Sequence, residues 1–224
     1  GAASNPGVPD LSVIIVSHNS GRWLEPCLSS LERGAGDCDV EVIVVDNASA
    51  DGSAELVEER FPAATVLRAA NHGFAHGNNV GLRAASAPYV LFLNADTELL
   101  SGTLAGLVAR LEDRPELGLV GCRQVTAEGA LWPTIRRFPT PGRLLFEALG
   151  SEQLPWRASW LGERELDPAA YERETPCDWT SGSFMLARRA ALDAAGLMDE
   201  RFFLYCEEPD LCLRIRRPGW RIAH

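Results

Sequence analysis

Three short polar clusters could bind a nucleotide: Ser17-His18-Asn19, Asp46-Asn47-Ala48-Ser49 and Asn94-Ala95-Asp96. Each directly follows an apolar run, and in an open α/β sheet ligands sit beyond the carboxyl ends of the strands. Asp46 could accept hydrogen bonds from a base N–H or a ribose hydroxyl. Asp96 could hold a divalent cation shared with substrate phosphates, the habit of Mg²⁺. No GxxxxGK[ST] or post-strand GxGxxG loop is present to cradle phosphate. A fourth cluster, Glu207-Glu208-Pro209-Asp210, follows the aromatic run Phe202-Phe203-Leu204-Tyr205. Adjacent carboxylates raise one another's pKa, and such a pair can serve as a general base. Each cluster also has a plainer explanation. Asn, Asp and Ser form turns, acidic residues favour a helix N-terminus, and Asp210 with Arg214 makes an i, i+4 pair. The segment Asn71–Gly81 (NHGFAHGNNVG) is glycine-rich enough for close backbone approach. His72 and His76 stand four apart but lack a third ligand.

These groups need a sheet to position them. Leu11–Ser17 (LSVIIVS) and Tyr89–Leu93 (YVLFL) read as strands buried on both faces, and Val40–Val45 (VEVIVV) as another. Trp23, Leu24, Cys27, Leu28 and Leu31 recur at helical spacing, ended by Gly34 and Gly36. Further helices are predicted over 53–60, capped by Asp51 or Ser53, over 74–86, around Leu104–Leu111, and over 207–217. Strands are predicted over 65–68, 117–125 and 183–187. The alternation predicts an α/β fold with a mainly parallel sheet. Residues 127–176 break the pattern with prolines and aromatics and read as an excursion over the sheet. Such a stretch is commonly functional.

Composition narrows the class. The chain has 224 residues, 46% hydrophobic and 23% charged, which suits one globular domain. The net charge of -10 argues against a nucleic-acid partner; all 21 basic residues are arginine, whose planar fork suits phosphate and carboxylate. No apolar run reaches the ~18 residues of a membrane span. Residues 1–10 lack a signal-peptide core and read as a disordered tail or a cloning scar. The six cysteines form no CxxC and no zinc spacing; they read as free thiols in a reducing cytoplasm. Cys27, Cys122 and Cys212 fall in apolar patterns and read as core.

Taken in order, SVIIVSHNS, VIVVDNASADGS, NHGFAHGNNVG, LFLNADTEL, WTSGSFMLARRAAL and FFLYCEEPDLCLR resemble the inverting family-2 glycosyltransferases of GT-A fold over residues 11–222. Within that family the chain is most similar to bacterial rhamnosyltransferases, which use dTDP-L-rhamnose to build polysaccharide or cell-wall linkers, often on lipid-linked acceptors. The resemblance implies a nucleotide-sugar-binding half over 11–126 and an acceptor half over 127–224. Ser17, Asn19 and Asp46 would contact the nucleoside, with Asn47 and Ser49 supporting that loop. Asn78 would lie near the sugar or diphosphate. Asn94-Ala95-Asp96 stands in the place of the DxD motif, with Asn94 on the donor and Asp96 as ligand to Mg²⁺ or Mn²⁺. Trp179, Ser181, Gly182, Ser183 and Asp210 would face the acceptor. Glu207-Glu208 stands in the place of a Glu-Asp motif, which makes Glu208 the base and Glu207 its neighbour.

The donor would be dTDP- or UDP-linked, and the acceptor a glycan or lipid-linked hydroxyl. UDP-galactose, UDP-GlcNAc or GDP-mannose donors remain open, as does a non-catalytic nucleotide-sugar-binding domain. The protein would work in the cytoplasm, at the membrane face if Trp132, Trp156, Trp160, Arg136 and Arg137 meet a lipid-linked phosphate. A structural flap is the other reading of that segment, which is also expected to be more mobile than the sheet. Family members continue past the position of Gly219-Trp220 with a strand, a His-containing segment and helices. The resemblance therefore implies a truncated chain without that His.

Overall fold

The computed structural model describes residues 7–149 and 162–224. Seven strands form the main sheet: β1 (Leu11–Ser17), β2 (Val40–Asn47), β3 (Thr65–Ala69), β4 (Tyr89–Asn94), β5 (Leu117–Val120), β10 (Phe184–Arg188) and β11 (Arg221–Ala223). Their order is β11-β5-β10-β4-β1-β2-β3. β10 runs antiparallel to β4 and β5, while the other pairs are parallel. Two small pairs lie beside this sheet: β6 (Gln124–Val125) with β7 (Leu131–Trp132), and β8 (Ile135–Arg136) with β9 (Trp179–Thr180).

The sheet is covered on both faces, and alternation within the strands decides which residue meets which layer. Val13, Ile15, Leu91 and Leu93 pack with α1 (Gly21–Gly34), α2 (Ser53–Arg60) and α4 (Leu104–Asp113). Ile14, Val90 and Phe92 pack with α3 (Phe74–Ala84), α6 (Arg189–Ala195) and α7 (Glu207–Arg216). All these strand residues are buried, as a sheet clothed on both sides requires.

Several expectations change in detail. The strand predicted over 117–125 breaks at Gly121, where a Cβ would lie 2.5 Å from Thr180 Oγ1. The chain bends there and re-enters as β6. Trp23 is not core: it is 44% exposed at the start of α1, whereas Leu24, Cys27, Leu28 and Leu31 are buried. Cys27 and Cys212 are buried but Cys122 only partly so, and all six cysteines are free thiols. Gly52 takes the cap position of α2, with Asp51 Oδ1 accepting the Ser53 N–H at 3.1 Å. Within 127–176 the chain forms β7, β8, α5 (Pro141–Ala148) and a 3₁₀ turn, Pro168–Tyr171. Trp156 and Trp160 lie outside the described residues. Arg136 and Arg137 are not free for phosphate: they pair with Glu163 at 3.3 Å and with Glu165.

Candidate active site

β1, β2 and β4 are neighbours and parallel, so their polar ends meet at one edge of the sheet. The loops after β1 and β2 are laced together. Asn19 N–H donates to Ser49 Oγ at 2.9 Å, and Ala50 N–H donates to Asn19 Oδ1 at 2.8 Å. Asp51 Oδ2 accepts the first N–H of α1, from Gly21, at 3.0 Å. Asp46 is buried, with Oδ2 accepting the Ser49 N–H at 3.2 Å. Asn47 Nδ2 donates to Gly73 O at 3.2 Å.

Two clefts open along this edge. One, of about 390 Å³, is lined by Val16, His18, Asn19, Trp23, Asn47, Asn71, Phe74, Phe203 and Leu204. The other, of about 800 Å³, runs between the start of α4 and β6–β7 and includes Gln124, Trp132, Ser181 and Ser183. Asn94 and Asp96 line both and form their shared border. Asp96 is exposed there. At the ends of β1, β2 and β4, Ser17 Oγ, Asp46 Oδ1, Asn47 Oδ1 and Asn94 Oδ1 are buried without a partner, among other such atoms elsewhere in the described residues. An unpaired buried polar atom costs on the order of 1–3 kcal/mol, so these four strand-end groups are available to a polar ligand at this edge.

The carboxylates enter from the other half of the chain. Glu208, half-buried in the first turn of α7, accepts the Gly182 N–H on Oε1 at 3.2 Å. A Cβ on Gly182 would sit 2.5 Å from that oxygen, so any larger residue there would push the Glu208 carboxylate aside. The next residue, Ser183, accepts the Asn94 N–H on its carbonyl at 3.1 Å and donates from its hydroxyl to Gln124 Oε1 at 2.8 Å. The turn Ser181–Ser183 thus ties the base candidate to the border between the clefts. Glu207 is 1% exposed. Burial, then the neighbouring Glu208 charge, push its carboxyl up to about 7. Burial also raises Glu208, against hydrogen bonds that lower it.

Among the described residues four non-glycines have positive φ: Asn19, Ala48, Tyr205 and Cys206. All lie in the loops that bear the site residues. Such backbone costs roughly 1–3 kcal/mol per residue and persists only where surrounding contacts enforce it.

Not every anticipated side chain faces the clefts. Asn78 is buried, and its Nδ2 donates to Phe74 O at 3.1 Å, so it braces the first turn of α3. Asp210 is bound to Arg214 at 2.7 Å, which itself reaches Ala195 O. Trp179 donates from Nε1 to Arg137 O at 3.0 Å and stacks under Arg136. His72 and His76 meet edge to face, with His76 bonded to Glu200. Phe74, Phe203 and Leu204 line the smaller cleft from segments that the sequence marks, whereas nothing in the sequence points to Gln124 in the larger one. Trp23, at the edge of the helical stripe, turns into the smaller cleft.

A cation at Asp96 is compatible with this geometry. No group of three or more His, Cys, Asp or Glu gathers as a closed metal cage among the described residues. A single exposed carboxylate suits an ion held otherwise by diphosphate oxygens and water.

Residues 12–193 match the family described as Glycosyl transferase family 2. The N-acetylglucosaminyl-diphospho-decaprenol L-rhamnosyltransferase of Mycobacterium tuberculosis is 32% identical over 225 residues, covering 94% of this chain and 71% of the relative. Rhamnosyltransferase WbbL of Escherichia coli is 26% identical over 220 residues, covering 95% and 79%. Among solved structures, the Pyrobaculum calidifontis mannosyltransferase PcManGT, in complex with GDP-Man and Mn²⁺, superposes with a TM-score of 0.61 at 19% identity. It covers 96% of this chain and 54% of that one. Staphylococcus aureus TarS superposes with a TM-score of 0.66 at 19% identity, covering 96% and 34%. These likenesses establish the GT-A fold.

Proposed function

Because the chain belongs to glycosyl transferase family 2, we propose that it moves L-rhamnose from dTDP-rhamnose to a hydroxyl of a glycan or lipid-linked acceptor, with inversion. The observation that carries this reading is the pair of clefts meeting at Asn94 and Asp96, beside a carboxylate held by the Gly182 N–H. The choice of rhamnose rests on the two rhamnosyltransferase relatives.

The smaller cleft takes the nucleoside diphosphate. Asp46 and Asn19 meet the base and ribose, and Trp23, Phe74, Phe203 and Leu204 supply its apolar walls. Ser17, Asn47 and Ser49 shape the loops beneath. The larger cleft takes the acceptor, with Ser181, Ser183 and Gln124 as hydrogen-bonding groups and Trp132 as a platform. Glu208 removes the proton from the acceptor hydroxyl. The freed oxygen forms a bond to the anomeric carbon as the bond from that carbon to the diphosphate oxygen breaks. Asp96 would hold a divalent cation, Mg²⁺ or Mn²⁺, which when bound neutralises charge on the departing diphosphate. Such ions accompany the donor in the PcManGT structure.

No helix among the described residues is long and apolar enough to cross a membrane. Peripheral contact would rest on α5 and the residue after it, where Leu144, Leu145 and Leu149 are exposed, rather than on the paired Arg136 and Arg137.

The reading is tested by product analysis. The protein is incubated with dTDP-rhamnose, UDP-galactose, UDP-GlcNAc or GDP-mannose, a lipid-linked N-acetylglucosaminyl diphosphate, and Mg²⁺ or Mn²⁺. Rhamnosyl transfer is expected, and Glu208→Gln should reduce it by roughly 10²-fold or more, the span of a general base, while leaving dTDP affinity nearly intact. Near-normal turnover in Glu208→Gln would move the base to Glu207 or Asp210. Nucleotide-sugar binding without transfer would leave a binding domain.

A further inference from the structure

The segment Met198–Cys206 leads from the end of α6 into the glutamates of α7, and it is strapped to the far side of the donor cleft. Asn79, 1% exposed on α3, grips one residue of it from both sides. Its Oδ1 accepts the Met198 N–H at 2.9 Å, and its Nδ2 donates to Met198 O at 2.8 Å. The same Nδ2 donates to Glu200 Oε1 at 2.8 Å. Glu200 also meets His76 Nδ1 at 2.9 Å and Arg83 Nη2 at 3.4 Å. Three residues beyond Glu200, Phe74 N–H donates to Phe203 O at 2.8 Å. Gly73 packs so tightly there that any Cβ would collide with the Phe203 backbone. Gly73 O is in turn the acceptor for Asn47, so one glycine joins the nucleoside loop after β2 to the strap.

Beyond Phe203 the strap has no comparable anchor before Tyr205 and Cys206, both left-handed. Two successive strained residues hold their backbone only if both flanks are fixed. α7 fixes one flank; on the other, the Phe203 carbonyl bond is backed by the bonds of Asn79 and Glu200. We propose that Asn79 and Glu200 are positioning residues for the transfer reaction. They fix the strap so that Phe203 and Leu204 close the donor cleft and Glu208 stands at the right depth behind the sugar. This rests on the reading of that cleft as the donor site and of Glu208 as the base. Asn79 and Glu200 line neither of the two clefts.

Glu200→Ala is the informative variant, because the Glu200 side chain is 39% exposed and its loss leaves the core filled. Misplacing a catalytic group by about 1 Å can cost ~10²-fold. Glu200→Ala should therefore lower kcat by roughly 10- to 10²-fold, with acceptor KM nearly unchanged. Glu200→Gln keeps an oxygen for Asn79 Nδ2 and should recover most of the rate. In parallel, amide hydrogen exchange over residues 203–208 is read with dTDP present; it should be faster in Glu200→Ala and near wild type in Glu200→Gln. Unchanged kcat in Glu200→Ala, equal loss in both variants, or unchanged exchange would overturn the proposal. If the wild type transfers no sugar from any donor, the functional reading fails. The exchange result then decides for or against the strap by itself.

Discussion

Replacing Glu207 by Gln removes the charge of a side chain that is 1% exposed and whose carboxyl is raised from 4.5 to about 7, first by burial and then by Glu208. A folded-state pKa above the unfolded one means that folding favours the protonated form. Glu207 therefore adds no cost below about pH 4.5, and a growing cost as pH rises towards and past 7. Each pKa unit is worth about 1.4 kcal/mol, so the shift corresponds to about 3 kcal/mol lost by pH 8. Gln is isosteric and stays neutral. At pH 5 Glu207→Gln should unfold much like the wild type, and at pH 8 it should be the more stable protein by up to about 3 kcal/mol. For a chain of this size that is a rise in Tm of roughly 6–12 °C. Thermal and urea unfolding of both proteins from pH 5 to pH 8, without nucleotide, measures the difference directly. A gap between variant and wild type that is the same at both ends of the range would refute the reasoning. Because the Glu208 charge is the second cause, Glu208→Gln should move the wild-type transition to lower pH and shrink the gap.

Two other perturbations report on neighbouring parts of the site. Asp96→Ala should abolish the part of dTDP or UDP affinity that depends on Mg²⁺ or Mn²⁺; equal calorimetric affinities with and without metal in both proteins would remove Asp96 as the ligand. Leu144→Ser combined with Leu145→Ser should weaken co-sedimentation with phospholipid vesicles while leaving transfer to a soluble acceptor unchanged, and undiminished sedimentation would dismiss α5 as a membrane contact.

The sheet was legible because β1, β2 and β4 are long apolar runs ending in polar residues, and burial on both faces leaves no other pattern. The three strand-end clusters could be read for the same reason, and the structure brings them to one edge. Other features were hidden by distance along the chain. Nothing local to Arg136 and Arg137 announces Glu163 and Glu165 as their partners. Asn79 meets Met198 and Glu200 from 119 and 121 residues away in the chain, so the sequence shows only an asparagine in a glycine-rich helix. Helical spacing left the side of Trp23 open, because a residue at the edge of a buried stripe can turn either way. The break at Gly121 depends on Thr180, which no window around Leu117 contains.

The insertion of β10 between β4 and β5 also bears on how the molecule assembles. Residues 7–120 can pair β3, β2, β1 and β4 from nearby sequence, but the outer edge of β4 must wait for Phe184–Arg188 to emerge. Pairings between distant segments are slow because loop-closure entropy opposes them. Until then YVLFLN presents an open, apolar strand edge, the kind that recruits other chains. The strand that closes it carries the Ser181–Ser183 turn on its leading end, and with it the hold on Glu208. The window in which that edge is open thus closes with the same strand pairing that sets the Glu208 carboxylate in place.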